Sequence, residues 1–495
     1  MTSQSSLVEL FADPRSSAPA IISTALLRVV SYRDLAGQIE RLAGQLRNAG
    51  LQPGDCVAIV LPNSLEFLVV FLALTYARLV AAPINPADKP DEIRFFIEDA
   101  GARAVVAEGA NAAVREATAR LDLPIWQPRV DSRGVELPEL SSSSRTSLDT
   151  PSPDDVALFA YTSGTTGRPK CVPLTHANVL MSSRNIAAYY QLTSADCSMV
   201  VLPLFHGHGL IGATLSTLAS GGSVSLPPRF SASDFWKPFR EHHATWYTAV
   251  PTIHQVLLER ADRDGAPHSG LRFIRSCSAP LAPAILSKLE SRFGAPVLEA
   301  YGMTEAAHQV ASNPIPPRPH KPGTVGLGIG ISIIDHAGRH LAANTPGEVA
   351  VRGPNVTRGY RNNPEANDAA FIDGWFRTGD IGAIDNDGYL AITGRIKELI
   401  NRGGEKISPA EIEAVLLEHP AVAEAEVFGV PDPKYGEAVS AAVVLRSAAT
   451  TEQLQSYCRT RLADFKVPKL IHLVSAIPKN AMGKVQRRDL TAQFS

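Results

Sequence analysis

Residues 162–170 read TSGTTGRPK. The stretch follows an apolar run, Val156 to Tyr161, of the kind that forms a buried strand. It packs two glycines, four hydroxyls and one lysine into nine residues. Small residues let backbone N–H groups approach phosphate oxygens closely, hydroxyls add donors, and a lysine adds charge. It is not a Walker loop, because G-x-x-x-x-G-K-[ST] is absent. Alone it reads either as a phosphate cradle or as a flexible surface turn, and the rest of the chain decides between them.

Outward from this loop, apolar runs alternate with amphipathic segments. Strands are expected at Cys56 to Leu61, Ala104 to Ala107, Met199 to Leu204, Thr245 to Val250, Arg272 to Ser276 and Pro296 to Ala300. Helices are expected at Ser64 to Leu79 and Ala282 to Phe293. The alternation predicts an α/β fold with parallel-rich sheets. At 495 residues the chain is too long for one core, so two or more domains are expected. A boundary falls near residue 395. Upstream, GEVAVRG (347–353) and DGYLAITG (387–394) predict a β subdomain; downstream, Ser408-Pro409-Ala410-Glu411 predicts a capping box opening a helix. The chain thus divides into a large N-terminal domain over 1–394, a joint over 395–397 and a small α+β domain over 398–495.

Composition narrows the function. A net charge of −2 supplies no basic field for nucleic acid or an anionic membrane. Five scattered cysteines without a C-x-x-C pair argue against a disulfide framework or structural zinc, and for a reducing compartment. The apolar run from Phe67 to Ala77 is too short to span a bilayer. The N-terminus has no secretory pattern and the C-terminal QFS is not a peroxisomal address, so a cytoplasmic enzyme is expected.

Four further segments remove the ambiguity of the loop: YGMTE (301–305), RTGD (377–380), GRIKELINRGGEKISPAEIE (394–413) and PKNAMGK (478–484). In this order, the five segments strongly resemble the adenylate-forming superfamily of acyl-CoA synthetases, luciferases and peptide-synthetase adenylation domains. The resemblance implies ATP, Mg²⁺ and coenzyme A as cofactors and co-substrates, and small-molecule partners only. It implies that Thr162, Ser163, Gly164, Thr165, Thr166, Gly167 and Lys170 hold the β- and γ-phosphates. Tyr301 would lie against adenine, Thr304 would bond the α-phosphate, and Glu305 with Thr165 would hold Mg²⁺. Asp380 would accept the ribose hydroxyls and Arg395 would contact ribose or phosphate. Lys484 would be the catalytic lysine of a mobile small domain. Lys397 would be its hinge, and Gly403 and Gly404 would line the thiol tunnel. One departure stands out: Cys171 follows Pro169-Lys170 where the family usually carries Gly, and it is expected to be a packed residue rather than a nucleophile.

The acid is argued from LPLFHGHG (202–209), WYTAVPTIH (246–254), RSCSAPLAP (275–283) and YGMTEAAH (301–308). Fatty-acid ligases fill such segments with apolar residues. Here they carry His206, His208, His254, Arg275, Ser276, Ser278 and His308. An apolar acyl tail would leave buried polar groups unpartnered, at roughly 1–3 kcal/mol each. A short diacid fits better, its second carboxylate clamped by His308 and Ser278 with His208 beside them, and with the histidine expected to be protonated. His206 and His254 are expected to be packing residues.

The same segments closely resemble oxalate–CoA ligases of plants and fungi. That implies oxalate, ATP and CoA giving oxalyl-CoA, AMP and pyrophosphate. A ligase for malonate, a medium-chain or an aryl acid remains open, as do a non-catalytic nucleotide-binding regulator and a carrier-loading domain. Glu305 and His308 also form a Glu-x-x-His spacing, which on a helix shares one face, but no second such motif supports a di-iron site. A monomer or weak homodimer is expected.

Overall fold

The computed structural model describes residues 6–11, 16–140, 148–162, 168–266, 270–328, 330–479, 485 and 487–494. Among these residues two parallel-rich sheets form the large N-terminal part. In the larger, the strands Pro19–Ser23, Ser223–Leu226, Cys197–Met199, Trp246–Ala249, Phe273–Ser276 and Val297–Met303 pair in parallel. His308–Ser312 then returns antiparallel to Val297–Met303. The second sheet pairs Cys56–Val60 in parallel with Val80–Pro83 and Ala102–Ala107, and closes on the antiparallel pair Val156–Tyr161 and Cys171–Thr175.

The helices Tyr32–Asn48, Leu65–Tyr76 and His176–Tyr189 share one core with both sheets. Leu65–Tyr76 is apolar almost all round, and all but two of its residues are buried, as a helix enclosed between layers must be. Ser64 caps it by accepting from the Phe67 N–H. A β unit follows, with Ile331–Ile334, Gly347–Val351, Trp375–Ile384 and Leu390–Arg395 in antiparallel array. The last unit has its own core around the helix Pro409–Glu418 and the hairpin Val422–Asp432/Gly436–Leu445. This is the mixed α/β architecture expected from the alternation.

Two local expectations are corrected. The strand beginning at Cys197 ends at Met199 instead of continuing to Leu204. The Asn63 side chain takes the Leu202 carbonyl and the Leu204 N–H, so those groups cannot join a ladder. Ser408 and Pro409 do open a helix, but no capping box forms. The Ser408 hydroxyl donates to the Thr393 carbonyl instead, and Glu411 pairs with Lys466 at 2.6 Å.

Phe71→Ala empties the middle of the enclosed helix and is expected to cost about 3–5 kcal/mol. Chemical denaturation followed by circular dichroism measures it; a loss below about 1 kcal/mol would contradict this account of the core.

Candidate active site

The large sheet places its functional side chains where ligands of open α/β sheets gather, at the carboxyl ends of parallel strands. Thr248 and Arg275 are register partners on adjacent strands, and Arg275 also opposes Leu298. The Val297–Met303 strand runs on into a single 3-10 turn, Thr304–Ala306, and the chain reverses into His308–Ser312. Glu305 and His308 therefore do not share a helix face. Ala307 and His308 sit at φ +48° and +92°, in the left-handed region that side-chain-bearing residues seldom occupy. Ser278 does so as well, at +74°. Three such non-glycine positions mark stored backbone strain of the kind found at functional sites.

On one side of this hairpin lie the residues expected to serve the nucleotide. The loop expected to cradle phosphate has its stem tied: the Thr162 N–H donates to the Lys170 carbonyl at 3.1 Å, and the Lys170 N–H to Thr162 Oγ1 at 3.2 Å. Lys170 Nζ lies 4.4 Å from the Tyr360 ring centroid, and the Tyr360 hydroxyl donates to Glu305 Oε1 at 2.8 Å. The Glu305 carbonyl is pinned by the Thr357 N–H at 2.7 Å. Ser163, Gly164, Thr165, Thr166, Gly167 and Lys484 lie outside the described residues. The Tyr301 hydroxyl donates to Asp380, whose other oxygen accepts from Arg395 Nε at 2.7 Å. Burial, followed by the Asp380 carboxylate, holds the Tyr301 phenol far above its ordinary pKa, so it remains a donor. Thr304 opens the turn between these groups.

Among the described residues no cluster of three histidines, cysteines or carboxylates could hold a metal ion, which removes the di-iron reading. Glu305 is instead a single oriented hard-oxygen donor. That donor set fits Mg²⁺, which takes one or two protein carboxylates and completes its shell with phosphate oxygens and water.

On the other side lies a polar cluster that the sequence identified only in part. Arg275 is fully buried, and its three nitrogens lie within hydrogen-bond distance of five neutral acceptors. Nε donates to the Tyr190 hydroxyl at 2.9 Å. One terminal nitrogen reaches His208 Nε2 at 3.1 Å and Thr248 Oγ1 at 3.0 Å. The other reaches His308 Nε2 and Gln309 Oε1, each at 3.1 Å. The two imidazoles stack, with centroids 4.9 Å apart. His208 Nδ1 lies 3.0 Å from Ser278 Oγ. The expected trio of His208, Ser278 and His308 thus converges, with Arg275 beneath it. His206 accepts the His208 N–H on Nδ1, and His254 lies beside Tyr247.

The protein's own groups around the two imidazoles favour the neutral form. Burial first, then the neighbouring imidazole and Arg275 for His208, and Arg275 for His308, hold both pKa values well below the ordinary histidine range. Gly212, on the π-helical segment His208–Leu215, makes room for the pair. A Cβ there would stand 2.5 Å from His308 Nε2.

The remaining expected residues are dispersed. Lys397 is exposed in the turn Ile396–Glu398, and Gly403 and Gly404 form the turn of the hairpin Ile400–Arg402/Glu405–Ile407. Their φ values of +62° and +96° suit glycine. Cys171 is not strained: it is a buried strand residue paired with Tyr161, and burial pushes its thiol up to about 12.

Comparison with known proteins bears on the whole chain. Residues 9–361 match the family described as AMP-binding enzyme, and 411–484 match its C-terminal domain. An oxalate–CoA ligase of Arabidopsis thaliana is 50% identical over 94% of this chain and 93% of its own. An oxalate–CoA ligase of Saccharomyces cerevisiae is 40% identical, over 100% of this chain and 98% of its own. The crystal structure of ATP-bound MatB from Rhodopseudomonas palustris superposes with a TM-score of 0.89 at 33% identity, covering 98% of this chain and 99% of that one. No helix among the described residues is long and apolar enough to cross a membrane. With both parts matched in order and along nearly its full length, the chain belongs to the AMP-binding enzyme family, as an AMP-forming acid–CoA ligase of the adenylate-forming superfamily.

Proposed function

We propose that the acid is oxalate and that the product is oxalyl-CoA. The carrying observation is the acyl-side cluster itself: a buried guanidinium, two imidazoles and two hydroxyls, with no carboxylate among the described residues bonded to Arg275. Such a cluster is matched to an anion and mismatched to an apolar tail. The naming of two relatives as oxalate–CoA ligases supports the specific acid.

In this reading one oxalate carboxylate attacks the α-phosphorus of ATP, pyrophosphate leaves, and a mixed anhydride forms. The CoA sulfur then attacks the acyl carbon, the thiol proton is lost, and AMP departs. The loop from Thr162 to Lys170 holds the outer phosphates, Thr304 the α-phosphate, Tyr301 the adenine, and Asp380 with Arg395 the ribose. Mg²⁺ at Glu305, with Thr165, would offset phosphate charge as pyrophosphate leaves. Tyr360 orients that carboxylate. Lys484 stabilises charge developing at the α-phosphate. The small domain, 398–495, turns about 395–397 with Lys397 as the hinge, and brings Gly403 and Gly404 to the thiol tunnel. Ser278 and His308 donate to the second carboxylate, with His208 positioning Ser278. The five cysteines are free and buried, which fits a reducing compartment such as the cytoplasm. A monomer or weak homodimer suffices, since each group in this account comes from one chain.

The direct test is a substrate panel with purified enzyme, following AMP release. Oxalate is expected to give CoA-dependent turnover well above malonate and octanoate; turnover with malonate or octanoate and none with oxalate overturns the reading. Both imidazoles are held neutral, with pKa values below the ordinary range, so neither is expected to gain a proton as pH falls from 8 to 6. The KM for oxalate should stay flat there. A KM rising about tenfold per unit through pH 7 would mean that a protonated histidine binds the acid. Gly212→Ala should displace His308 and raise the KM for oxalate about tenfold or more, with the KM for ATP within about twofold; equal losses on both would move His308 to the nucleotide site.

A further inference from the structure

We propose that Arg275 is the positioning and specificity-determining residue of the acyl site. It sets both histidines as Nδ1–H donors and keeps there a positive charge that the second carboxylate of the substrate neutralises. The inference rests on the reading of an anionic acyl group and adds the residue that enforces it.

The argument starts from valence. A guanidinium has five N–H donors and no acceptor. Its three nitrogens are ringed by five protein atoms, the Tyr190 hydroxyl, His208 Nε2, Thr248 Oγ1, His308 Nε2 and Gln309 Oε1, with His208 Nε2 and Thr248 Oγ1 themselves 2.6 Å apart. Arg275 is buried behind these neighbours and acts on the substrate through them. In this assignment each Nε2 is an acceptor, from Arg275 and, for His208, also from the Thr248 hydroxyl at 2.6 Å, so the proton of each neutral ring sits on Nδ1. His208 Nδ1–H then donates to Ser278 Oγ at 3.0 Å, which turns the Ser278 hydroxyl proton outward as a donor. His308 Nδ1–H is the second donor, and no bond within the described residues consumes it. Two neutral donors side by side suit one carboxylate.

The charge is the second half. A buried ion without a counter-ion is costly by several kcal/mol even when fully hydrogen-bonded. Even less buried arginines pair with acids, as Arg377 does with Glu348, Arg395 with Asp380 and Arg272 with Asp196. The titratable groups facing the cluster are Tyr190, His206, His208, His254, Cys277 and His308, and none is a carboxylic acid. The low dielectric that makes the lone charge unfavourable also strengthens its pull on an incoming anion. An uncharged acyl tail would leave that charge uncompensated, so selectivity against neutral-tailed acids follows from the same atom.

Two measurements test this. In wild-type protein with nitrogen-15-labelled histidine, the His208 and His308 resonances should report protonated Nδ1 and bare Nε2. The opposite tautomer, or an imidazolium at pH 7, overturns the proposal and needs no variant to fold. The second compares oxalate with oxamate, its neutral-tailed isostere. Arg275→Met should lower the preference for oxalate about 10²-fold or more while leaving the KM for ATP within about twofold, and Arg275→Lys should recover part of the preference by restoring the charge. An unchanged oxalate-to-oxamate ratio in Arg275→Met, or parallel losses toward ATP, refutes the assigned role. If the wild-type enzyme turns over another dianionic acid and not oxalate, the substrate reading fails while Arg275 is tested on that acid and its neutral isostere. A wild-type preference for an acid with an uncharged tail overturns both.

Discussion

A guanidinium sealed among five neutral acceptors is the constraint around which the acyl half of this enzyme is arranged. Its partners come from separate elements: Tyr190 at the end of the helix His176–Tyr189, His208 on the π-helical segment, Thr248 on a neighbouring strand, and His308 with Gln309 on the returning strand. Beneath it the rings of Tyr190, Phe273 and Trp246 stack, with successive centroids 4.9 and 5.1 Å apart. No one acceptor can shift without leaving a buried N–H of a charged group unpaired, which is costly. The two imidazoles are thereby held in one orientation and one tautomer, which is the preorganisation a small, highly charged acid requires.

The hairpin from Val297 to Ser312 joins this half to the nucleotide half. The Tyr301 hydroxyl meets Asp380 and Glu305 accepts from Tyr360, while His308 meets Arg275 after a reversal of only a few residues, so in the proposed reading one hairpin serves both nucleotide and acid. The left-handed backbone at Ala307 and His308 makes so short a reversal possible. In the proposed reading, an acid held at His308 by its second carboxylate has its first carboxylate brought toward the phosphate it attacks, and the strain at these residues is the cost of that closeness.

Much of this was legible in the sequence, and the exceptions have physical causes. The enclosed helix from Leu65 and the polar character of the segments around Arg275 follow from residue type and spacing. His208, Ser278 and His308 could be nominated because polar side chains stood where apolar ones would serve a fatty acid. Arg275 was visible among them, but its role was not. An arginine reads as charged in any sequence, and only the assembled sheet shows that nothing acidic meets it. Burial, and then a cation 33 positions away, favour the neutral form of His308, and neither is visible in the local sequence. The Glu305–His308 spacing suggested a shared helix face, and a left-handed residue between them broke it. Ser408 had the right neighbours for a capping box and found a better acceptor in Thr393.

The central claim is that neutral donors organised by Arg275 receive the second carboxylate of the acid. A crystal structure with an oxalyl-adenylate analogue tests it most directly. The account predicts that carboxylate within about 3 Å of both Ser278 Oγ and His308 Nδ1, with all five Arg275 bonds intact. A carboxylate bound directly to a guanidinium that has released His308, or one turned away from both donors, would contradict it.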